Sequence, residues 1–345
     1  MTANGFETVN TTAGPAGASA TTGDAAAART DWPAVSFVVI GRNEATHLAR
    51  CLASIRAVDY PEDRIELIYA DSASTDESCA VAERCGARVL RVPGPRVTPG
   101  MGRNLGWRAA RHELVHFVDG DTEMHPQWLQ HAVRALENPD AFCVAGLCVE
   151  VDPHASVYNF CAHHDWYRPP GACDASGGIA LFRRGVLEQV DGFDESLIAG
   201  EEPEMCYRIA RTCGGTVWVL DQPMVRHDIH MTRFGEYWRR CRRTGRGYAE
   251  VTRMHPEMHA WRRAVRRNLV HTFAPVVAGV LALVLWSWWP VALWAALLAV
   301  AIGKNALRHR RRVGSFGGAL VYSTHHYVSK LPMALGQIRY WLSRR

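Results

Sequence analysis

No Cys-x-x-Cys pair occurs in this chain of 345 residues, and its 10 cysteines lie scattered, Cys143 and Cys148 being the tightest pair. This argues against a structural zinc site, and single cysteines among apolar neighbours read as buried, reduced thiols of a cytosolic domain. No internal repeat recurs at a period of about 20 to 50 residues, so solenoids and propellers are excluded. Residues 1–31 have neither a basic n-region nor an apolar h-region and are mostly Ala, Thr and Gly, which predicts a disordered tail rather than a signal peptide. Acids are scarce after Val225, where 4 Asp+Glu face 21 Lys+Arg; before it, 30 acids outnumber 18 arginines. The chain therefore joins an acidic half suited to a metal-dependent site to a basic half suited to an anionic surface, either membrane lipid or nucleic acid. With 48% hydrophobic and 21% charged residues it can bury a substantial core, and its length suggests about two folding units.

The longest uncharged stretch decides what the basic half faces. Phe273 to Gly303 is 31 residues without a charge, roughly 46 Å as one straight helix against a bilayer core of about 30 Å. Pro290, after Trp288 and Trp289, is placed to break it into two limbs, and such aromatics favour the headgroup level. Arg262, Arg263, Arg266 and Arg267 precede the stretch, and Lys304, Arg308, Arg310, Arg311 and Arg312 follow it. Positive flanks on both sides put both ends in the cytoplasm. The second limb, Val291 to Gly303, has 13 residues, so a shallow or re-entrant hairpin and two full passes both fit, with a buried hairpin of a soluble domain the weaker rival. Phe316 to Leu342 mixes apolar residues with His325, His326, Lys330 and Arg339 and reads as a pair of interfacial amphipathic helices. The expected organisation is a catalytic domain over 32–250 and a basic helical membrane region over 251–345, with the hairpin at about 270–303 and interfacial helices at about 316–342.

Between Val35 and Val225 strands alternate with helices. Val35 to Ile40 is a continuous β-branched and aromatic run, followed by a Gly-Arg-Asn-Glu turn and a helix repeating Leu48, Leu52 and Ile55. Ile65 to Ala70, Arg88 to Val92 and Leu114 to Val118 are further strands, separated by helices ending near Gly86 and spanning about 101–111. This alternation predicts an α/β fold with a parallel sheet. Asp71 and Asp119 then fall at carboxyl ends of strands, where open α/β sheets bind ligands.

The ordered set GRNE, ADSASTD, the Arg-Asn pair of PGMGRNLG, FVDGD, DGFDES and GEEPEMCYR resembles the inverting family 2 glycosyltransferases, over about residues 35 to 250. The resemblance implies the GT-A nucleotide-sugar-binding fold, Rossmann-like, with a C-terminal appendage like that of membrane-associated members. Asp119 and Asp121 put two carboxylates within reach of one hard cation, Mn²⁺ or Mg²⁺, which can stabilise a leaving nucleoside diphosphate. The resemblance makes Asp121 the direct ligand, with Asp119 on the ribose or the metal and His227 near the metal or diphosphate. It places Asn43, Glu44, Asp71 and Arg103 at the donor, Asp71 on the nucleobase and Arg103 on base or phosphate. The family usually has Glu-Asp where this chain has Glu201-Glu202. Glu202 aligns with the general base, its extra methylene moves the carboxylate by about one bond length, and Glu201 is the fallback. Asp194 would contact acceptor hydroxyls. Arg240 and Arg243 lie in a dense basic run that could clamp a diphosphate or face the membrane. The Gln-x-x-Arg-Trp segment of processive relatives is missing, which argues for addition of a single sugar.

The sequence thus points to a membrane-anchored glycosyltransferase with a nucleoside-diphosphate-sugar donor, a divalent cation, membrane-lipid contacts and a membrane-presented glycan or lipid acceptor. A polyprenyl-phosphate glycosyltransferase and a non-catalytic sugar-nucleotide-binding scaffold are the alternatives, and a nucleic-acid partner is not expected. The protein should require detergent for solubility and show no salt-sensitive RNA or DNA binding; a steep salt dependence of polynucleotide binding would reverse the assignment of the basic half.

Overall fold

Residues 31–343 are described by a computed structural model, so all but the last residue of the expected tail lies outside the described residues. The first part alternates β1 (Val35–Gly41), α1 (Leu48–Arg56), β2 (Ile65–Asp71), α2 (Ser78–Arg84), β3 (Arg88–Arg91), α3 (Pro99–Ala109) and β4 (Leu114–Asp119). There follow β5 (Thr122–Met124), α4 (Trp128–Ala135), β6 (Ala141–Glu150), α5 (Val157–Asp165), β7 (Gly171–Cys173), β8 (Ala180–Arg183), α6 (Arg184–Gln189), α7 (Glu201–Thr212) and β9 (Thr216–His227). The remainder is helical: α8 (Phe234–Met254), α9 (His259–Val284), α10 (Trp289–Val313), α11 (Phe316–Val328) and α12 (Lys330–Leu342).

One sheet runs in the order β3-β2-β1-β4-β8-β6-β9-β5, with β7 added on β9. The expected parallel arrangement holds for β3, β2, β1 and β4, and the apolar runs of β2, β1 and β4 are those of strands covered on both faces. Beyond β4 the sheet is mixed, because β8 enters antiparallel to both β4 and β6. One face is covered by Leu48, Leu52, Ile55 and Trp128, and the other packs Phe117, Met205 and Ile209. His116 is wholly buried and its pKa falls to about 3 through burial. The neutral ring lies 2.9 Å from the Phe117 carbonyl through Nδ1 and accepts the Trp128 indole N–H at 2.7 Å through Nε2.

Helix α3 starts two residues before the expected position because Thr98 caps it, accepting from the Met101 N–H, and Pro99 occupies its first turn. The register pairs Gly41 with Asp71 and Ile40 with Asp119, so the ends of β1, β2 and β4 form one rim.

The apolar stretch breaks earlier than expected. The chain turns at 285–288, with Trp286 at φ +45, and Pro290 is absorbed in the first turn of α10, where it needs no donor. The second limb is also longer than its apolar part, since α10 continues through Lys304 and the arginines to Val313. Both α9 and α10 are long and apolar enough to cross a membrane, and Trp286 and Trp288 at the tip are 96% and 78% exposed. These helices make the C-terminal region membrane-associated.

The helices after the hairpin differ from a purely interfacial pair. One face of α12, including Met333, Ala334, Gly336, Gln337 and Tyr340, is buried, with Met333 meeting α8, while Leu331, Leu335 and Leu342 remain exposed. A Cβ on Gly245 would strike the Met333 backbone, and one on Gly336 would strike the Arg242 carbonyl. Helix α8 itself runs through residue 250 without a break. Gly245→Ala and Gly336→Ala should each destabilise the detergent-solubilised protein by about 1 to 3 kcal/mol through overpacking, read as a lowered Tm. An unchanged Tm in both would contradict this close crossing.

Candidate active site

The two acids at the end of β4 meet their partners from distant parts of the chain. Asp121 Oδ1 lies 3.2 Å from His227 Nε2, because β5 pairs antiparallel with the end of β9. Potential ligand atoms of Asp119, Asp121 and His227 all lie within 4.8 Å of one another. Trp166 stacks on the His227 ring at 4.6 Å and 4°, fixing its plane. Burial opposes charge on both partners, yet their mutual attraction wins: the Asp121 carboxyl is held below its ordinary range and the His227 imidazole well above. Two carboxylate oxygens and an imidazole nitrogen converging on one point are a donor set that suits a divalent cation such as Mn²⁺.

Glu44 lies beside this triad over Gly41 and Gly120, where an added Cβ would meet its Cγ at 2.9 Å and 3.3 Å. Burial raises its pKa, and the charge of Asp121 raises it further. Asn43, at φ +59, accepts the Thr75 N–H at 2.8 Å through its side chain and gives its own N–H to Ser74. Asp71 is buried and accepts from Ser74 N–H at 3.0 Å and Tyr69 O–H at 3.3 Å. These three sequence-selected residues therefore form the adjoining rim, knit by loop hydrogen bonds, and do not line the central cavity.

That cavity measures about 220 Å³ and gathers Arg103, Asp119, Glu201, Glu202, His227, Arg240 and Arg243. Arg103, expected at the base or phosphate, lines this cavity. It is 5% exposed and bridges Asp119 at 3.0 Å through Nη2 and Glu201 at 2.9 Å through Nη1, while its buried Nε has no partner among the described residues. Asp194 is not brought to the cavity: its carboxylate accepts Ser196 N–H at 2.8 Å and closes its own turn. Glu202 is 5% exposed and opens α7, with its Oε1 held by Ser176 N–H and O–H. Glu204, two residues along the same helix, is committed to Arg208 and His255.

Arg168, Ser176, Trp166 and Trp261 also line this cavity or its walls, and sequence reasoning did not single them out. The Asp-Ala-Ser-Gly-Gly run at 174–178 was the available signal for Ser176. Among the described residues no carboxylate lies within 4 Å of Arg168, Arg240 or Arg243, and the buried Arg240 Nε has no partner.

A mixed sheet with acids at the ends of its parallel strands, a carboxylate–imidazole triad and a glutamate at a helix start make up a site of the kind glycosyltransferases use. Residues 36–191 match the Glycosyl transferase family 2 model, and the chain carries a family 2 glycosyltransferase catalytic domain of GT-A fold, followed by apolar membrane-associated helices. Glycosyltransferase AglE of Haloferax volcanii is 24% identical over 232 residues, covering 64% of this chain and 74% of that protein. The pre-mycofactocin glycosyltransferase of Mycobacterium tuberculosis is 26% identical over 238 residues, 66% of this chain and 49% of that protein, so the chain spans about half of that relative. Mannosyltransferase PcManGT of Pyrobaculum calidifontis, solved with GDP-Man and Mn²⁺, shares the fold at a TM-score of 0.60 and 21% identity, over 92% of this chain and 89% of that one.

Arg103→Met should destabilise the protein by about 2 to 3 kcal/mol at neutral pH, less than for a fully buried pair because Asp119 is partly exposed. Chemical denaturation of the single variant and of Arg103→Met/Glu201→Gln would check this: the second change should restore part of the loss, and no recovery would mean that the bridge is not the cause.

Proposed function

We propose that this chain transfers a sugar, with inversion, from a nucleoside-diphosphate sugar to a hydroxyl group of a membrane-presented glycan or lipid acceptor. The observation that carries the reading is one cavity lined by Glu202 and by Asp119 and His227 of the cluster that Asp121 completes, walled on one side by Trp261 at the start of the helix that enters the apolar hairpin. Asp121, Asp119 and His227 would hold a divalent cation, which when bound would stabilise charge on the departing diphosphate. Asn43, Glu44 and Asp71 present the rim for the nucleoside, and Arg240 faces the diphosphate side with an unused Nε–H. Glu202 accepts the proton of the attacking hydroxyl, and Trp166 keeps the His227 ring in plane. The basic flanks at both ends of the hairpin support a catalytic domain on the cytoplasmic side. GDP-Man and Mn²⁺, bound by PcManGT, are the first donor and ion to test.

A second reading is favoured by Arg168, Arg240 and Arg243: an acceptor that is itself a polyprenyl phosphate, already ionised, would need no base. It predicts that Glu202→Gln keeps activity.

Detergent-purified protein titrated calorimetrically with UDP-, GDP- and dTDP-sugars, with and without Mn²⁺, should bind one donor in a metal-dependent way. Asp121→Ala should lose that binding, whereas Glu202→Ala should keep it and lose at least about 100-fold in turnover. Wild-type turnover in either variant would remove the corresponding assignment.

A further inference from the structure

Glu202 is one methylene longer than the aspartate usual at its place, and the fold shows where the added length goes. Its Oε1 accepts the Ser176 N–H at 2.5 Å, the Ser176 O–H at 2.7 Å and the Cys206 S–H at 3.1 Å. Among the described residues Oε2 carries no hydrogen bond, and Glu202 lines the cavity. The Cys206 thiol is kept protonated by burial, then by the charge of Glu202, and remains a donor. Ser176 is itself fixed by the double glycine after it: Gly177 and Gly178 take φ of +95 and +92, and a side chain on either would run into Arg168 or Arg103. Glu201, by contrast, has its Oε1 tied to the Arg103 guanidinium at 2.9 Å.

We propose that Ser176, assisted by Cys206, is a positioning residue that pins one oxygen of Glu202, so that Oε2 alone meets the acceptor and the longer side chain lands at working distance. This rests on the reading of Glu202 as the base. In the step it serves, the acceptor O–H proton passes to Oε2 as the acceptor oxygen bonds to the anomeric carbon. The bond from that carbon to the diphosphate oxygen breaks with its electron pair, and the neutral Glu202 then returns the proton to water. Asp at 202 would be too short to keep the Ser176 bonds and the reach together.

Two measurements on the full-length protein in detergent test this. In donor turnover with GDP-mannose or whichever donor binds with Mn²⁺, Ser176→Ala should lower kcat about 10-fold at unchanged donor Kd, Ser176→Thr should restore it, and Glu202→Asp should lose about 100-fold. Wild-type kcat in Ser176→Ala or Glu202→Asp would overturn the proposal while leaving the transferase reading intact. Infrared difference spectra read the clamp without substrate: the carboxylate band removed by Glu202→Gln should shift in Ser176→Ala. An unshifted band overturns the proposal. Lack of any donor binding by the wild type would instead remove the transferase reading, with the spectroscopic result still deciding the clamp.

Discussion

Arg103 is the cation around which the site closes. Carboxylates from three segments, Glu44, the Asp119–Asp121 pair and the Glu201–Glu202 pair, converge at the ends of β1 and β4 and the start of α7, and their repulsion would spread the rim. Arg103, on α3, ties the end of β4 to the start of α7, its partner Glu201 lying 98 residues along the chain, and His227 joins the β5 and β9 ends. The raised pKa of Glu44 records the repulsion that remains after burial is counted. A buried guanidinium with a carboxylate on each Nη can be kept at modest cost; taking it away would leave two charges poorly solvated.

The membrane-associated helices are part of the same packed body. Trp261 of α9 lines the cavity, Tyr322 of α11 donates to Asp165 of α5 at 2.8 Å, and Tyr237 of α8 donates to the His325 carbonyl at 2.9 Å. Glycines let α8 and α12 touch backbone to backbone, so the position of the hairpin is transmitted to α8, whose Arg240 and Arg243 reach the cavity. An acceptor held in the bilayer would therefore meet a site whose height above the hairpin is set by rigid packing rather than by a linker.

Much of this was legible in the sequence because it is local. A β-branched run such as Val35 to Ile40 specifies a buried strand, Leu48, Leu52 and Ile55 specify one helix face, and acids at the ends of such strands must lie on the ligand rim. The uncharged stretch with basic flanks likewise announced a membrane hairpin. Less legible were the break at 285–288, where Pro290 looked like the obvious interrupter but fits a first helical turn, and the antiparallel entry of β8, which no local period encodes.

The roles of the charged residues were decided only by tertiary structure. Arg103 lines the cavity and bridges two carboxylates there, Asp194 closes its own turn, and Arg168, which drew no attention, lines the cavity together with Ser176 of the 174–178 run. Residue type and spacing determined which groups could do the chemistry, since strand and helix periods depend on near neighbours. Which of those groups stay free was settled by pairing across crossovers, where a difference of an ångström between two segments selects the partner of each charge.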